Sequence, residues 1–225
     1  MKRLHILYTL LFIWLLPVTS NGQPAGKEKL RVISYNIWNG FEHDASRRAN
    51  FINWIKGQQP DILAMTELVG FTEKDLGQLA SEYGHKYYAI VKEEGYPVGI
   101  TSNEPITVVK KQMEGFWHGM LHVKTHGLDM IVTHLSPHDW KFRLKEAQML
   151  TSYIQDNQLD NCMVMGDFNA YSPFDADWVE THAQLIENMQ KWDAEQETYR
   201  NMRDGRFDYS VLSKFLSIGL TDICR

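Results

Sequence analysis

Hydrophobic and polar positions along the chain switch repeatedly between a strand period and a helix period. Leu30, Val32, Ile33, Tyr35 and Ile37 make a strand-like run from Lys29 to Trp38, entering a loop at Asn36-Ile37-Trp38-Asn39-Gly40. Residues 45–57 change to helical spacing, with Ala49, Ile52 and Ile55 on one face and Gly57 as a stop. Pro60-Asp61 restarts the chain, and Ile62-Leu63-Ala64-Met65 reads as a second buried strand ending at Glu67. A second helix is predicted from Thr72 to Tyr83, stopped by Gly84. Lys86–Val91 and Val98–Thr101 read as paired strands around Gly95-Tyr96-Pro97. Two more strands, Gly119–Lys124 and Leu128–His134, join at His126-Gly127. The spacing then predicts a long helix over Asp139–Gln155, a strand over Cys162–Asn169, a helix over Trp178–Lys191 and a short helix over Tyr209–Leu216.

There is no internal repeat of short period and no low-complexity linker. Strands and helices mix, and several strands are joined by hairpin-length connections. That argues for an α+β fold or a layered sandwich of mixed sheets, not a purely parallel doubly wound one.

The N-terminus has a different character. Lys2 and Arg3 precede an apolar run, Leu7–Val18, and then Ser20, Asn21 and Gly22. This is the pattern of a secretory signal peptide over residues 1–22, with an uncleaved N-terminal anchor as the competing reading. The expectation is a secreted or periplasmic protein whose domain runs from 23 to 225. Removing Lys2 and Arg3, with no acid in residues 1–22, takes the net charge from −5 to −7. Such a balance does not wrap nucleic acid by charge alone, though a bound divalent cation would change the field at a site. Of the two cysteines, Cys162 lies within a buried-strand run, which favours an inert core thiol over a disulfide with Cys224.

Chemistry concentrates where apolar runs end. Asn36, Glu67, His134 and the pair Asp167 and Asn169 each follow such a run, and none has an obvious need to be polar for folding. Alternation along an extended segment turns positions 167 and 169 the same way. Five motifs occur in order: Ser34-Tyr35-Asn36-Ile37-Trp38, Pro60 to Glu67, Val98-Gly99-Ile100-Thr101-Ser102, Thr133-His134-Leu135 and Gly166-Asp167-Phe168-Asn169. The set resembles the endonuclease/exonuclease/phosphatase superfamily of Mg²⁺-dependent phosphoesterases. That superfamily includes pancreatic-type deoxyribonuclease, neutral sphingomyelinases, inositol-polyphosphate phosphatases and deadenylases. The resemblance spans Leu30 to Cys224 and implies a four-layer α/β sandwich, two mixed β-sheets packed face to face between helices.

The resemblance also implies roles. Glu67 would be a ligand of Mg²⁺ (or Mn²⁺), a hard cation that takes one or two carboxylates and keeps several waters. Asn36 would lie beside both the metal and a phosphate oxygen. His134 would donate to a non-bridging phosphate oxygen as charge develops there. Asp167 would orient the attacking water or its base, and Asn169 would hold the phosphate or that water. Arg143 reads either as a contact to the phosphate or its substituent, or as a helix-surface ion-pair partner. His138 reads equally as a phosphate contact or a loop residue. Trp38, Trp117 and Trp140 either rim a cleft or pack in the core, and His43, His118, His122 and His126 have no motif context. The implied reaction is in-line attack of water on phosphorus. The substrate is a phosphate ester, whether nucleic acid, phospholipid head group or small phosphodiester. No stable protein partner is implied, and the expected state is a monomer.

The chain departs from the family pattern late. It has no Ser-Asp-His, the motif that carries the family's general base. Arg206-Phe207-Asp208-Tyr209 superficially matches the Arg-x-Asp-Tyr motif, but the residues after it have helical periodicity. The expectation is a domain lacking its last strands, with little hydrolysis by the 225-residue chain itself. The competing class of function is a catalytically dead fragment or binding module that retains the fold.

Overall fold

Strands β1 (Val32–Asn36), β2 (Ile62–Thr66), β3 (Tyr87–Ile90) and β4 (Gly99–Ser102) form one sheet in the order β1-β2-β4-β3. A second sheet, ordered β5-β6-β7-β8, contains β5 (Thr107–Gln112), β6 (Met120–Thr125), β7 (Leu128–His134) and β8 (Cys162–Asp167). These elements come from a computed structural model that describes residues 29–224. The predicted signal segment therefore lies outside the described residues. Both sheets are mixed. β1 and β2 run parallel, as do β7 and β8, and the remaining pairs are antiparallel.

Alternation along each strand explains the layering. Ile62 and Ala64 of β2 face Leu121, Val123, Met130 and Val132 of the second sheet, making the central core. Their neighbours Leu63 and Met65 point the other way, onto α1 (Ala45–Gln58) and α2 (Glu73–Glu82). On the outer face of the second sheet, Met120 and Ile131 pack against α3 (Trp140–Asp156) and α6 (Ser210–Leu216). The result is helix, sheet, sheet, helix, the four-layer α+β sandwich expected. β2 is apolar at nearly every position because both of its faces are covered. Among the described residues no helix is long and apolar enough to cross a membrane.

Two elements differ from the sequence reading. β5 has no counterpart among the strands predicted from the sequence. Its residues Thr107 to Lys111 are all exposed, so it lacks the buried face that periodicity detects. It is an edge strand carrying Lys110 and Lys111, with an irregularity between Val108 and Lys110, features that blunt sheet-to-sheet aggregation. The helix predicted over Trp178–Lys191 is two, α4 (Ala176–Glu180) and α5 (Ala183–Glu195). At the break, Thr181 Oγ1 donates to the Trp178 carbonyl at 2.7 Å, and His182 Nδ1 lies 2.7 Å from the same oxygen. Side-chain bonds to the backbone there compete with the helical ladder.

Candidate active site

The two parallel pairs explain why the site sits where it does. In β1 and β2, Asn36 is in register with Thr66, one residue before Glu67. In β7 and β8, His134 is in register with Asp167. Parallel neighbours end on the same side, so four carboxyl-terminal strand ends open at one edge of the sandwich.

Asn36 is the centre of the arrangement. Its Nδ2 donates to Glu67 Oε1 at 2.9 Å and to Asp167 Oδ2 at 3.0 Å. One amide thus joins carboxylates carried by different sheets. Its Oδ1 accepts from the Trp38 backbone N–H at 2.8 Å, which fixes the amide's orientation. In that orientation Asn36 presents nitrogen to the two carboxylates, and nitrogen of an amide does not ligate a cation. The carboxylates are the groups suited to metal, with Asn36 as the spacer between them.

The second oxygen of each carboxylate is also held. Asn39 N–H donates to Glu67 Oε2 at 2.8 Å, and Asn169 N–H to Asp167 Oδ1 at 3.0 Å. Asp167 and Asn169 are therefore brought together by a turn and not by a continuing strand. β8 stops at Asp167, and Asn169 adopts φ 47°. Its side-chain Nδ2 reaches the Leu135 carbonyl at 3.0 Å. Positive φ recurs around the site at Trp38, Asn39, Glu67 and Asn169. A non-glycine residue held there costs about 1–3 kcal/mol and persists only where its surroundings fix it.

His134 is buried, with Nε2 3.8 Å from Asp167 Oδ2. Burial pushes its pKa down, and the nearby charges of Asp167 and Glu67 oppose that shift. Its Nδ1 has no hydrogen-bond partner among the described residues, and neither has the buried Thr66 hydroxyl behind it in sequence order at β2's end. A buried polar atom without a partner is uncommon, and here it lies on the residue that the motif singles out.

Asn36, Asp167, Asn169 and Arg143 all line a cleft of about 570 Å³. Arg143 is 4% exposed, and its guanidinium is committed to the protein. Nη1 donates to Ser136 O at 3.0 Å and Asn201 Oδ1 at 2.6 Å, and Nη2 to Asn201 O at 3.3 Å. It is not the surface ion-pair partner of one of its two sequence readings; it lines the cleft, and its buried Nε has no hydrogen-bond partner among the described residues. It ties the turn after β7 to the segment before α6. Asp208 lines the same cleft but accepts from Ser210 Oγ at 2.7 Å, and α6 follows it directly, as the helical periodicity requires.

Several residues here carried no signal alone. Glu146, fully buried, accepts from Trp117 N–H at 2.7 Å and Ser136 N–H at 2.8 Å. It pins the loops on either side of His134. Burial drives its pKa up to about 7 against those two bonds and the charge of Arg143. The trace it leaves in the sequence is an acid and Arg143 three residues apart on the apolar stripe of α3, with Ala147, Leu150 and Ile154. His118 stacks on His134, ring centroids 4.3 Å apart and 28° between planes. Burial first, then His134, Lys92 and His138, lower its pKa to about 3, so it is a neutral ring.

Two mixed sheets meeting over paired carboxylates, an amide and a histidine at their strand ends define a phosphoesterase-type fold. The sequence matches the profile of the Endonuclease/Exonuclease/phosphatase family over residues 33–215, and the chain belongs to that family. Among solved structures, it is similar to an AP endonuclease from Archaeoglobus fulgidus. The TM-score is 0.59 at 20% identity, covering 88% of this chain and 74% of the other. A second similar structure is D. rerio TDP2 complexed with a single-strand DNA product, with TM-score 0.51 and 18% identity. There the match covers 67% of this chain and 65% of that one. No curated protein matches the sequence. At these identities the likeness is one of fold.

Proposed function

We propose that the chain is an exported hydrolase of phosphate esters, acting by in-line attack of water in the cleft at the ends of β1, β2, β7 and β8. The observation that carries the reading is the Asn36 amide, 2.9 Å from Glu67 and 3.0 Å from Asp167, with His134 beside them. Among the described residues no cluster of three His, Cys, Asp or Glu is gathered for a metal. Two carboxylates still fit Mg²⁺ or Mn²⁺, which take few protein ligands and keep their waters. Glu67 and Asp167 would hold that cation, which would supply charge neutralisation at the phosphate.

The remaining work falls to the chain's own groups. Asp167 accepts a hydrogen bond from the attacking water and so aims its lone pair at phosphorus. Asn169 lies on the same turn and positions the phosphate. His134, neutral and buried, donates from a ring nitrogen to a non-bridging oxygen as its charge grows. Arg143 fixes the turn that follows His134. Export rests on the N-terminal sequence pattern. A monomer is supported by Lys110 and Lys111 on the free edge of β5.

The test is turnover of bis(p-nitrophenyl) phosphate with Mg²⁺, with and without EDTA. With no Ser-Asp-His base in these 225 residues, the turnover expected is slow; EDTA should abolish it, and Glu67→Ala and His134→Ala should each lower it by roughly 100-fold or more, with circular dichroism unchanged. Turnover that survives EDTA, or near-normal rates in either variant, overturns the reading. Binding of phosphate esters without turnover makes the chain a binding module instead.

A further inference from the structure

A chain of aromatic rings leads away from His134. His118 stacks on it at 4.3 Å, and Tyr96 and Trp117 contact His118 at 5.4 and 6.5 Å. Trp117 meets His138 at 5.4 Å and Tyr199 at 6.1 Å, both edge-on, while His138 lies nearly parallel to Tyr199, 26° between planes at 5.1 Å. These rings come from separate segments: the β3–β4 loop, the β5–β6 loop, the turn after β7 and the stretch before α6. Tyr96, Trp117 and Tyr199 nevertheless remain 42%, 38% and 37% exposed. Single exposed aromatics are ordinary, but a contiguous set beside a reaction site marks a binding surface.

We infer that this ledge is a subsite for a nucleobase carried by the phosphate ester, with Tyr96, Trp117 and Tyr199 as its stacking surfaces. The inference rests on the phosphoesterase reading above and names its substrate class. On the ledge, His138 with Tyr199 is already a near-parallel stack, and Tyr199 is its exposed member. A planar ring extends such a stack, whereas a quaternary ammonium head group needs a box of rings around it. Lys92 adds positive charge next to His118, which disfavours a cationic ligand further. Trp117 is held by its backbone bond to Glu146, so the surface is ordered before the ligand arrives. The acidic balance of the chain, net −5, favours a nucleotide-sized ligand over a long polyanion.

The experiment compares adenosine 5′-monophosphate with ribose 5-phosphate, which differ by the base alone. Binding to the full chain is measured by calorimetry with Mg²⁺ present. Stacking of one base implies that the nucleotide binds roughly 5- to 150-fold tighter. Tyr199→Ala and Tyr96→Ala should each shrink that ratio while leaving ribose 5-phosphate affinity unchanged. Equal affinities in the wild type overturn the inference. So does a ratio that survives both substitutions, or a parallel loss for both ligands, which would mark a structural role. Glycerophosphocholine binding as tightly as the nucleotide overturns it in favour of a lipid head group. A base-dependent ratio in a chain that hydrolyses no diester supports the subsite while overturning the activity. Binding of neither phosphate overturns both.

Discussion

At the scale of single residues, the site depends on positions where no other side chain serves. Gly166 has φ 129°, and a Cβ there would stand 1.8 Å from the Thr133 carbonyl oxygen. The β7–β8 pair that aligns His134 with Asp167 closes only because this Cβ is missing. Gly166→Ala should therefore destabilise the chain by about 3 kcal/mol or more. Urea denaturation is the measurement, and a midpoint near wild type would contradict the close approach. The polar residues at strand ends were legible in the sequence because each interrupts an apolar run without a folding reason. What Asn36 does was not legible. Its amide orientation is set by Trp38 N–H, two residues along, and by carboxylates 31 and 131 residues away. Arg143 shows the same limit. Its place in the sequence left a phosphate contact or a surface ion pair open, and neither reading could find the partner Asn201, 58 residues on.

At the scale of elements, buried strands and amphipathic helices were readable, and the elements that escaped share a cause. β5 faces solvent along nearly its whole length, and the α4–α5 break is made by side-chain bonds that periodicity does not register. The helix that matters most for the site is α3, through Glu146. Burial raises Glu146 to about 7 from an ordinary 4.5, so the folded chain holds its proton more tightly than the unfolded chain does. The stability this confers is complete below pH 4.5 and is lost as pH rises through 7. Buried histidines such as His118 and His134, with lowered pKa values, act in the opposite direction as pH falls. The Glu146 contribution therefore shows in a comparison. Between pH 4.5 and 7 the wild type should lose stability relative to Glu146→Gln, at up to about 1.4 kcal/mol per pH unit. Unfolding midpoints for both proteins across that range decide it, and a constant difference would sink the assignment.

At the scale of the whole molecule, the pattern of strands and helices pointed to layered mixed sheets, and the four-layer order came from the family resemblance, with which strands apolar on both faces agree. The pairing of the layers came from neither. Ile62 and Ala64 face the other sheet while Leu63 and Met65 face helices, and nothing in an all-apolar run says which set goes where. The aromatic ledge was equally invisible, since its rings come from segments distant in the chain. The central core also bears on function. Glu67 and Asp167 belong to different sheets, so their separation is set by sheet-on-sheet packing. Mild denaturant should accordingly abolish hydrolysis at a lower concentration than it erases far-ultraviolet circular dichroism. Coincident transitions would show that the two sheets separate only when each unfolds.

The Asn36 bridge gives this a mechanical form. Its two short bonds make the amide a caliper resting on both jaws of the sandwich. A slide of one layer past the other by a single ångström, too small to unpair any strand, would lift one tip of the caliper from its carboxylate. Thermal expansion, pressure or a tight partner on an outer helix would then change the gap between the two acids without touching either. Under the proposed activity, catalytic output would read the alignment of the layers, and remote packing would become a dial on the chemistry.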